Sequence, residues 1–469
     1  MRADSKTLPN HWDVIKLGTY VEKEKGKKPR NQSASQSGAY VLPYIDIEAF
    51  EQGIIKSWTD GKGCRICKAS DLLMVWDGSR SGLVGRGMDG ALGSTLMRIN
   101  FPNINNQYAF YFLLSKYQEI NTRAKGSGTP HVDPDLLWNY DFPIPPSDEQ
   151  TLIVAKIEEL FSELDSGIAS LKTAQEQLKI YRQALLKHAF EGKLTEQWRK
   201  DNADKLETPE QLLARIQTER ETRYQQQLEE WKQAVKDWEA KGKEGKKPTK
   251  PNKIIKAEKL SESDLANVPS LPASWFWLKI GMLCDVVRGG SPRPAGDSRF
   301  YDGEIPFLKV ADLTRVTGLY VNSAAYTIKP AGLQKTRAVS PNTLLISNSG
   351  ATLGVPKICT IYATFNDGVA AFLRLGEAEL KYHYYFWESK TAELRAINQG
   401  AAQPNLNTDL IKDTLFPSCS LAEQQEIVNQ LEEKLSIIEQ NEKEIESALA
   451  KAELLRQSIL KKAFSGQLI

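Results

Sequence analysis

The chain carries the stretch RQALLKHAFEGKL at Arg182–Leu194, and a second version of it, RQSILKKAFSGQL, at Arg456–Leu468. The two stretches lie 274 residues apart, since 456 minus 182 is 274. The same offset aligns the aromatic run YAFYF, which begins at Tyr108, with the run YHYYF, which begins at Tyr382. Similarity at a constant spacing is the mark of an internal repeat. The sequence therefore predicts a tandem duplication.

A second motif opens each copy. LPNHWDVIKLG at Leu8–Gly18 returns as LPASWFWLKIG at Leu271–Gly281, with an offset of 263 residues. An insert separates the end of the first copy from the start of the second. We predict five segments: a first globular domain at 1–147, a first long helix at 148–198, a central helical and basic linker region at 199–266, a second globular domain at 267–418 and a second long helix at 419–469.

Each copy ends in a long amphipathic helix. Apolar residues recur there at seven-residue steps, which is the spacing of a coiled-coil seam. The predicted seam consists of Ile157, Leu164, Leu171, Leu178 and Leu185 in the first copy and of Leu431, Ile438, Ile445, Ala452 and Ile459 in the second. Two matched helices in one chain favour packing on each other. The simplest arrangement with pseudo-twofold symmetry is an antiparallel coiled coil that carries one globular domain at each end.

The globular domains have a mixed pattern. Short β-rich runs alternate with Gly, Pro and Asn, and an aromatic-rich helix is expected in each copy. The expected strands are Tyr40–Ile47, Asp71–Trp76, Thr343–Ile346 and Ala371–Leu375, and the expected helices are Asn106–Ile120 and Leu380–Ile397. The predicted fold class is therefore α/β or α+β, in two copies joined by long antiparallel coiled-coil helices.

The insert begins with a helix signal. Thr208 is a suitable N-cap, Pro209 suits the first helical turn and Gln211 completes a capping box. A charged helix is expected to run to about Lys241. The stretch Lys241–Lys256 holds seven lysines and one acidic residue, which is the composition of a flexible, extended linker.

Composition narrows the class of protein. The 469 residues are 41% hydrophobic and 26% charged, which fits a folded protein with sizeable cores. There is no apolar run long enough to span a membrane and no secretory signal, and five cysteines do not form a disulfide scaffold. We therefore expect a cytoplasmic protein that does not associate with a membrane. The net charge is +2 overall, but each globular domain carries +3, from 18 basic and 15 acidic residues at 1–147 and from 15 and 12 at 271–418.

Three loop clusters recur in both copies. The first is a basic stretch, Lys23–Arg30 or Arg288–Arg299, whose Arg and Lys suit phosphate. The second is a turn after a strand, Trp76–Gly82 or Asn348–Ala351, which could present Arg or Asn to a base edge. The third joins small residues to hydrogen-bond donors, at Lys125–His131 and Gln399–Asn405. Each could also be an ordinary solvated turn, but their appearance in both copies favours a role in binding.

Motifs for catalysis are missing from the sequence. It contains neither a Walker-type phosphate loop nor a dinucleotide-binding glycine motif. It also lacks the Asn/Asp-Pro-Pro-aromatic run with which an amino-methyltransferase holds its target. Cys64 and Cys67 form a single C-x-x-C pair, and a structural zinc site needs four ligands. This pattern favours binding and scaffolding over an enzyme, and no metal site is expected.

Together these motifs resemble the specificity subunit of type I restriction–modification enzymes. The resemblance covers nearly the whole chain. It rests on the opening L-P-x-x-W with K-[LI]-G, on the P-[IL]-P-P…E-Q entry to the first helix and on the A-F-x-G-x-L helix ends. The matching stretches are Leu8–Gly18, Leu271–Gly281, Pro143–Gln150, Pro417–Gln424, Arg182–Arg199 and Arg456–Leu468. The second copy departs from the pattern at Phe416–Ser420, which lacks the double proline.

The resemblance implies a non-catalytic subunit that recognises DNA. Each globular domain would be a target-recognition domain that reads one half of a bipartite, asymmetric site on double-stranded DNA. The helices would set the spacing and dock two adenine-N6 methyltransferase subunits, which carry S-adenosylmethionine. Endonuclease/translocase subunits, which use ATP and Mg, would complete the restriction enzyme. The chain itself would bind no cofactor.

By this resemblance the three loop clusters supply the contacts to DNA. Arg and Lys suit guanine or phosphate, and Asn and Gln suit adenine. The predicted contact residues are Lys28, Arg30, Arg80, Lys125, Ser127 and Thr129 in the first domain, and Arg288, Arg293, Asn348, Gln399, Gln403 and Asn405 in the second. Two alternatives stay open: a two-domain coiled-coil scaffold that does not bind DNA, and an enzyme with an unrecognised site.

Overall fold

A computed structural model describes residues 8–126, 128–245, 247–266, 268–376, 379–397 and 405–469. The chain divides into two compact units. Unit 1 consists of residues 1–175 and 443–469, and unit 2 consists of residues 176–442. Both boundaries fall inside long helices, so each unit contains the beginning of one long helix and the end of the other.

The globular part of unit 1 is built on three small sheets. An antiparallel four-stranded sheet has the order Glu22–Lys25, Leu96–Asn100, Leu72–Val75, Val84–Arg86. A mixed five-stranded sheet has the order Gln32–Ser33, Trp58–Thr59, Leu42–Ile45, Gly90–Leu92, Ile66–Cys67. Asp13–Lys16 pairs with Asp141–Ile144. The helices are Ile47–Gln52, Asn106–Thr122 and Pro134–Trp138, with a 3₁₀ turn at Leu17–Thr19.

Unit 2 repeats this plan with longer strands. Its five-stranded sheet has the order Asp285–Arg288, Val369–Leu373, Thr343–Ser347, Pro356–Cys359, Tyr320–Val321. Its four-stranded sheet has the order Tyr326–Ile328, Tyr301–Leu308, Ala363–Phe365, Arg337–Val339. Phe276–Lys279 pairs with Leu415–Ser418. The helices are Ile280–Leu283, Val310–Thr314, Leu380–Ile397 and Thr408–Asp413, with a 3₁₀ turn at Pro330–Lys335. The predicted mixture of helix and sheet, in two copies, is confirmed.

The two long helices run without interruption over Ser147–Phe190 and Leu421–Ala463, which are 44 and 43 residues. The exposed Gly167 does not break the first helix. In the second helix all five seam residues are buried, whereas Leu164, Leu171 and Leu178 of the first helix are half-buried. A short helix, Glu196–Asp201, and a 3₁₀ turn, Ala203–Lys205, follow the first long helix.

The repeated A-F motif places a phenylalanine in an aromatic cage in each unit. In unit 1, the Phe464 ring lies 5.2 Å from Tyr108 and 5.3 Å from Phe112. In unit 2, Phe190 lies 5.1 Å from Tyr382 and 5.5 Å from Phe386. Tilted and edge-on rings at this distance add attraction beyond simple burial. Each long helix therefore ends against the globular part that belongs to the other copy of the repeat.

Within each unit the two helix segments run in opposite directions. In unit 2, the second long helix leaves the globular part at its first residue, Leu421, while the first long helix arrives there with Phe190. Arg182 Nη2 donates to Glu442 Oε2 at 3.0 Å and links the two segments. In unit 1, Arg456 pairs with Asp165 in the same manner.

A hydrogen bond between a tryptophan and a glutamate at the start of each long helix explains why both residues recur in the repeated motifs. In unit 2 the fully buried Glu423 accepts hydrogen bonds, each of 2.8 Å, from Trp275 Nε1, Arg199 Nε and Thr195 Oγ1. In unit 1, Glu149 accepts from Trp12 Nε1 at 2.9 Å. A buried carboxylate is tolerated when hydrogen bonds and a counter-charge satisfy it. The opening motif and the helix entry of each copy are thus joined by the same bond.

The insert forms a helix, Pro209–Ala240, that packs on unit 2. Thr208 and Gln211 form the predicted capping box, which is confirmed. Leu213 and Ile216 pack with Met282 in a small apolar cluster. The chain then returns along the helix without regular structure in its described residues, and Trp231 Nε1 donates to the carbonyl of Pro248 at 3.1 Å. A four-residue helix, Glu262–Leu265, completes the insert. The described residues of the basic stretch therefore lie against the helix, while the prediction of a flexible, extended linker stays a prediction.

We expect Phe464→Ala to lower the free energy of unfolding by about 2–3 kcal/mol, because it removes a half-buried ring from the aromatic cage of unit 1. Denaturant titration of the full chain measures this change. Leu454→Ala is the matched control on the same helix, since Leu454 is 71% exposed and its loss should change stability by no more than about 0.5 kcal/mol. Equal effects of the two substitutions would contradict the structural role of Phe464.

Candidate nucleic-acid interface

In unit 1 the three loop clusters predicted from the sequence come together. Asp77 of the turn pairs with His131 of the third cluster in an antiparallel bridge. Gly78 N donates to the carbonyl of Pro130 at 2.7 Å. Lys25 of the basic stretch lies 2.7 Å from the Asp77 carboxylate. Stretches that are some 50 residues apart along the chain thus form one surface.

Glycine allows the basic stretch to approach this surface. A Cβ at Gly26 would come within 2.1 Å of the carbonyl oxygen of Gly93, which is too close for any side chain. Gly289 occupies the corresponding place in unit 2, where a Cβ would come within 2.2 Å of the Asn366 carbonyl oxygen. In both copies the stretch is therefore held against a turn between two strands.

The predicted residues of the first domain are exposed. Lys28 and Arg30 have no carboxylate within ion-pair distance in the part of the chain that the structure describes. Arg80 Nη1 donates to Glu51 Oε2 at 2.6 Å. Lys125 Nζ lies 2.8 Å from Asp133, and the hydrogen bond to this carboxylate raises the pKa of Lys125. Thr129 is exposed, and Ser127 lies outside the described residues.

In unit 2 the turn Asn366-Asp367-Gly368 connects the first two clusters. Arg288 Nε donates to the main-chain oxygen of Asp367 at 2.5 Å, and the Arg293 guanidinium lies 3.8 Å from the Asp367 carboxylate. Ser291 Oγ donates to the same carboxylate at 2.6 Å and so lowers the pKa of Asp367. The third cluster joins through a bridge between Ser349 and Asn405. Gln399 and Gln403 lie outside the described residues.

Asn348 is placed differently from the expectation of an exposed turn. Its side chain is completely buried, and both the amide nitrogen and the amide oxygen are without a hydrogen-bond partner. The reason is its position at the end of the buried strand Thr343–Ser347, where its N–H donates to Gly368. Ser349 and Gly350, the next residues, form the turn. A contact from Asn348 to a base would require this turn to open.

Sequence reasoning missed two arginines beside the basic stretch. Arg98 and Arg65 both pair with Glu24, and Arg98 stands opposite Glu24 in the sheet register. With Lys23, Lys25 and Lys27 they line an open groove of about 680 Å³. The missing signal was the pairing of strands that are distant in sequence, which a local pattern does not reveal.

The arrangement offers cationic and amide donors on a surface formed by loops. Exposed guanidinium and ammonium groups suit phosphate oxygens and base edges. In the described ranges, no helix is long and apolar enough to cross a membrane. Within the same ranges, no group of three or more His, Cys, Asp or Glu residues is arranged to hold a metal ion.

Comparisons with known proteins agree with this chemistry. Residues 9–178 and 272–448 match the family described as "Type I restriction modification DNA specificity domain". The specificity subunit of the type I restriction enzyme EcoDI from Escherichia coli is 25% identical over 475 residues, which covers 98% of this chain and 89% of that protein. The MjaVIII specificity subunit of Methanocaldococcus jannaschii is 30% identical over 186 residues, which covers 39% of this chain and 43% of that protein.

Two solved structures share the fold. The HsdS subunit from Thermoanaerobacter tengcongensis covers all of this chain with a TM-score of 0.55 at 18% identity. A chain from a study of complex assembly and conformational transition in the type I R-M system covers 98% of it with a TM-score of 0.66 at 19% identity. The family match spans more than half of the chain, in both copies of the repeat. The chain belongs to the family of type I restriction–modification DNA specificity domains, in which it serves as a DNA sequence-recognition component and not as a catalytic one.

Proposed function

We propose that each globular part is a target-recognition domain that reads one half of a bipartite, asymmetric DNA site. These domains correspond to residues 1–147 and 267–418. The observation that carries the proposal is the convergence of the same three loop clusters in both units, at Asp77–His131 and at Ser349–Asn405. Their tips differ in chemistry: Lys and Arg dominate the first domain, while Arg and Asn are prominent in the second. Different donors select different base edges, so two unlike half-sites are expected.

The long helices are proposed to form an antiparallel coiled coil that fixes the spacing between the half-sites, with pseudo-twofold symmetry between the copies. Supporting this, the heptad seam is buried along the second helix. The ion pairs Arg456–Asp165 and Arg182–Glu442 each join opposite-running segments within one unit. The sequence assigns the spacer to residues 148–198 and 419–469, and the insert 199–266 is proposed to brace the second domain.

Matched apolar residues on the two helices are proposed to dock two identical methyltransferase subunits. Ile180 is 70% exposed and Leu454, its counterpart at the 274-residue offset, is 71% exposed. The next residues, Tyr181 and Leu455, are both 51% exposed. Adjacent exposed apolar residues form a patch of the kind that marks protein–protein contact sites. Their repetition at equal exposure gives each copy the same docking surface, as two identical partners require.

In unit 2 the docking surface adjoins an apolar groove. Ile180, Phe190, Trp277 and Leu410 are among the residues that line a cavity of about 820 Å³. A groove of this size between helices suits an amphipathic helix from a partner. In the proposed complex the methyltransferase subunits carry S-adenosylmethionine, the endonuclease/translocase subunits use ATP and Mg, and this chain holds no cofactor. The complex acts on double-stranded DNA in the cytoplasm.

The proposal predicts a methylation pattern in cells. A methylation-deficient host that expresses this chain with the methyltransferase subunit of its system should show N6-methyladenine in both halves of one two-part motif. Modified-base sequencing measures this, with a host that lacks only this chain as the control. A soluble complex of the two proteins that leaves the genome unmethylated would contradict the proposed function and favour the scaffold alternative.

We expect Lys28→Gln with Arg30→Gln to weaken DNA binding by the methyltransferase complex without changing the motif, since unpaired cations suit phosphate. If both residues neutralise phosphates, the slope of log affinity against log salt concentration should become shallower by about 2. Fluorescence anisotropy over a salt series measures the slope. Lys172→Gln, an exposed lysine on the first long helix, is the control. An unchanged slope in the double variant would exclude these contacts.

The docking surfaces predict a stepwise loss of partners. Ile180→Asp or Leu454→Asp alone should leave one methyltransferase subunit bound, and the double variant should leave none, because a buried carboxylate without a partner is unfavourable in an apolar interface. Native mass spectrometry counts the subunits. Ile437→Asp is the control, since Ile437 is 54% exposed but its counterpart at the 274-residue offset is Glu163. Retention of two subunits by the double variant would disprove the docking surfaces.

A further inference from the structure

A small, partly open cleft lies between the insert helix and the globular part of unit 2. It is a cavity of about 30 Å³, lined by leucine and isoleucine side chains, by Phe416 and by charged and polar groups in similar number. A cavity needs a volume of about 10–15 Å³, measured in the same way, to hold one water molecule. The cavity therefore has room for a ligand of one or two atoms.

Two buried nitrogen atoms, in residues that line this cavity, have no hydrogen-bond partner among the described residues. Arg220 of the insert helix is only 7% exposed, and its Nε–H has no acceptor. His383 is 1% exposed, and its Nδ1 is also unpartnered. Buried polar atoms are nearly always hydrogen-bonded, and an orphaned one costs about 1–3 kcal/mol. Two such atoms in residues that line one cavity point to a ligand within it.

The nearby acids do not neutralise Arg220. Glu219, which also lines the cavity, pairs with Arg223, and Asp285 pairs with Arg374. Among the described residues, no carboxylate lies within ion-pair distance of Arg220. Among the described residues that line the cavity are three guanidinium groups, those of Arg215, Arg220 and Arg223, and one carboxylate, that of Glu219. These described residues carry a net positive charge, even after Arg215 is paired with Glu207.

The His383 ring can act as a neutral donor. It stacks on Phe416 with ring centres 4.3 Å apart, and burial lowers the pKa of His383 to about 3. A neutral imidazole carries one N–H, which can be placed on Nδ1. The first copy has Ala109 at the corresponding position. The donor is therefore a feature of the unit that carries the insert.

We propose that this cavity binds one small monovalent anion, such as chloride, held by Arg220 Nε–H and His383 Nδ1–H. A water molecule would satisfy the two nitrogens, but it would leave Arg220 to share the Asp285 carboxylate, which already pairs with Arg374, as its counter-charge. An anion supplies both the acceptor and the counter-charge. Because Arg220 belongs to the insert helix and His383 to the globular part, the anion would fasten one to the other.

Crystals of the full chain grown in sodium bromide test the site directly. We expect an anomalous peak in the cavity, within hydrogen-bond distance of Arg220 and His383. Density without an anomalous signal would identify a water and overturn the proposal. Because this measurement uses the unaltered chain, it does not depend on the folding of any variant.

Thermal unfolding gives the matching result in solution. At a chloride concentration of about ten times its dissociation constant, we expect a Tm about 2–4 °C higher than in sodium gluconate at equal ionic strength. Arg220→Met should abolish this difference. Lys236→Met removes one positive charge from an exposed position on the same helix and should retain the difference. An equal response to chloride in the two variants would assign it to general screening and overturn the proposal.

Discussion

The insertion of each long helix end into an aromatic cage determines how the rest of the molecule is organised. Phe464 packs between Tyr108 and Phe112, although these residues belong to the other copy of the repeat. Phe190 fills the corresponding cage of unit 2. Neither globular part is therefore complete without a helix from the other copy. Each globular part is thereby joined to segments of both long helices, which would not be so in a tandem array of independent domains.

Duplication followed by divergence explains why internal contacts recur in both copies while the surface loops differ. One repeated contact is the hydrogen bond from an indole N–H to a glutamate, which joins Trp12 to Glu149 and Trp275 to Glu423. The surfaces diverge, because loop tips can change without altering the core beneath them. The buried, unsatisfied amide of Asn348 is one such difference. It lies beneath the surface where the loop clusters of unit 2 meet, and neither its amide nitrogen nor its amide oxygen has a hydrogen-bond partner.

Much of the fold could be predicted because its signals are local. The heptad pattern predicts both long helices, and the aromatic helix Leu380–Ile397 has the predicted bounds. The predicted antiparallel arrangement of the helices implies that each helix ends near the domain of the other copy. The cage residues themselves could not be predicted, since both cages consist of the same residue types and the A-F motif fits either one. The convergence of the loop clusters depends on strand pairing between distant segments. The burial of Asn348 depends on where the preceding strand ends, and a turn pattern in the sequence does not determine the last residue of that strand.

Double-mutant cycles on unfolding free energy test the exchange of helix ends most directly. Residues in contact show a coupling energy of about 0.5–3 kcal/mol, whereas distant residues act additively. The account predicts that Phe464→Ala couples to Phe112→Ala and is additive with Phe386→Ala, and that Phe190→Ala shows the reverse pattern. Coupling of Phe464 to Phe386, with additivity toward Phe112, would place each helix end on its own copy and contradict the account.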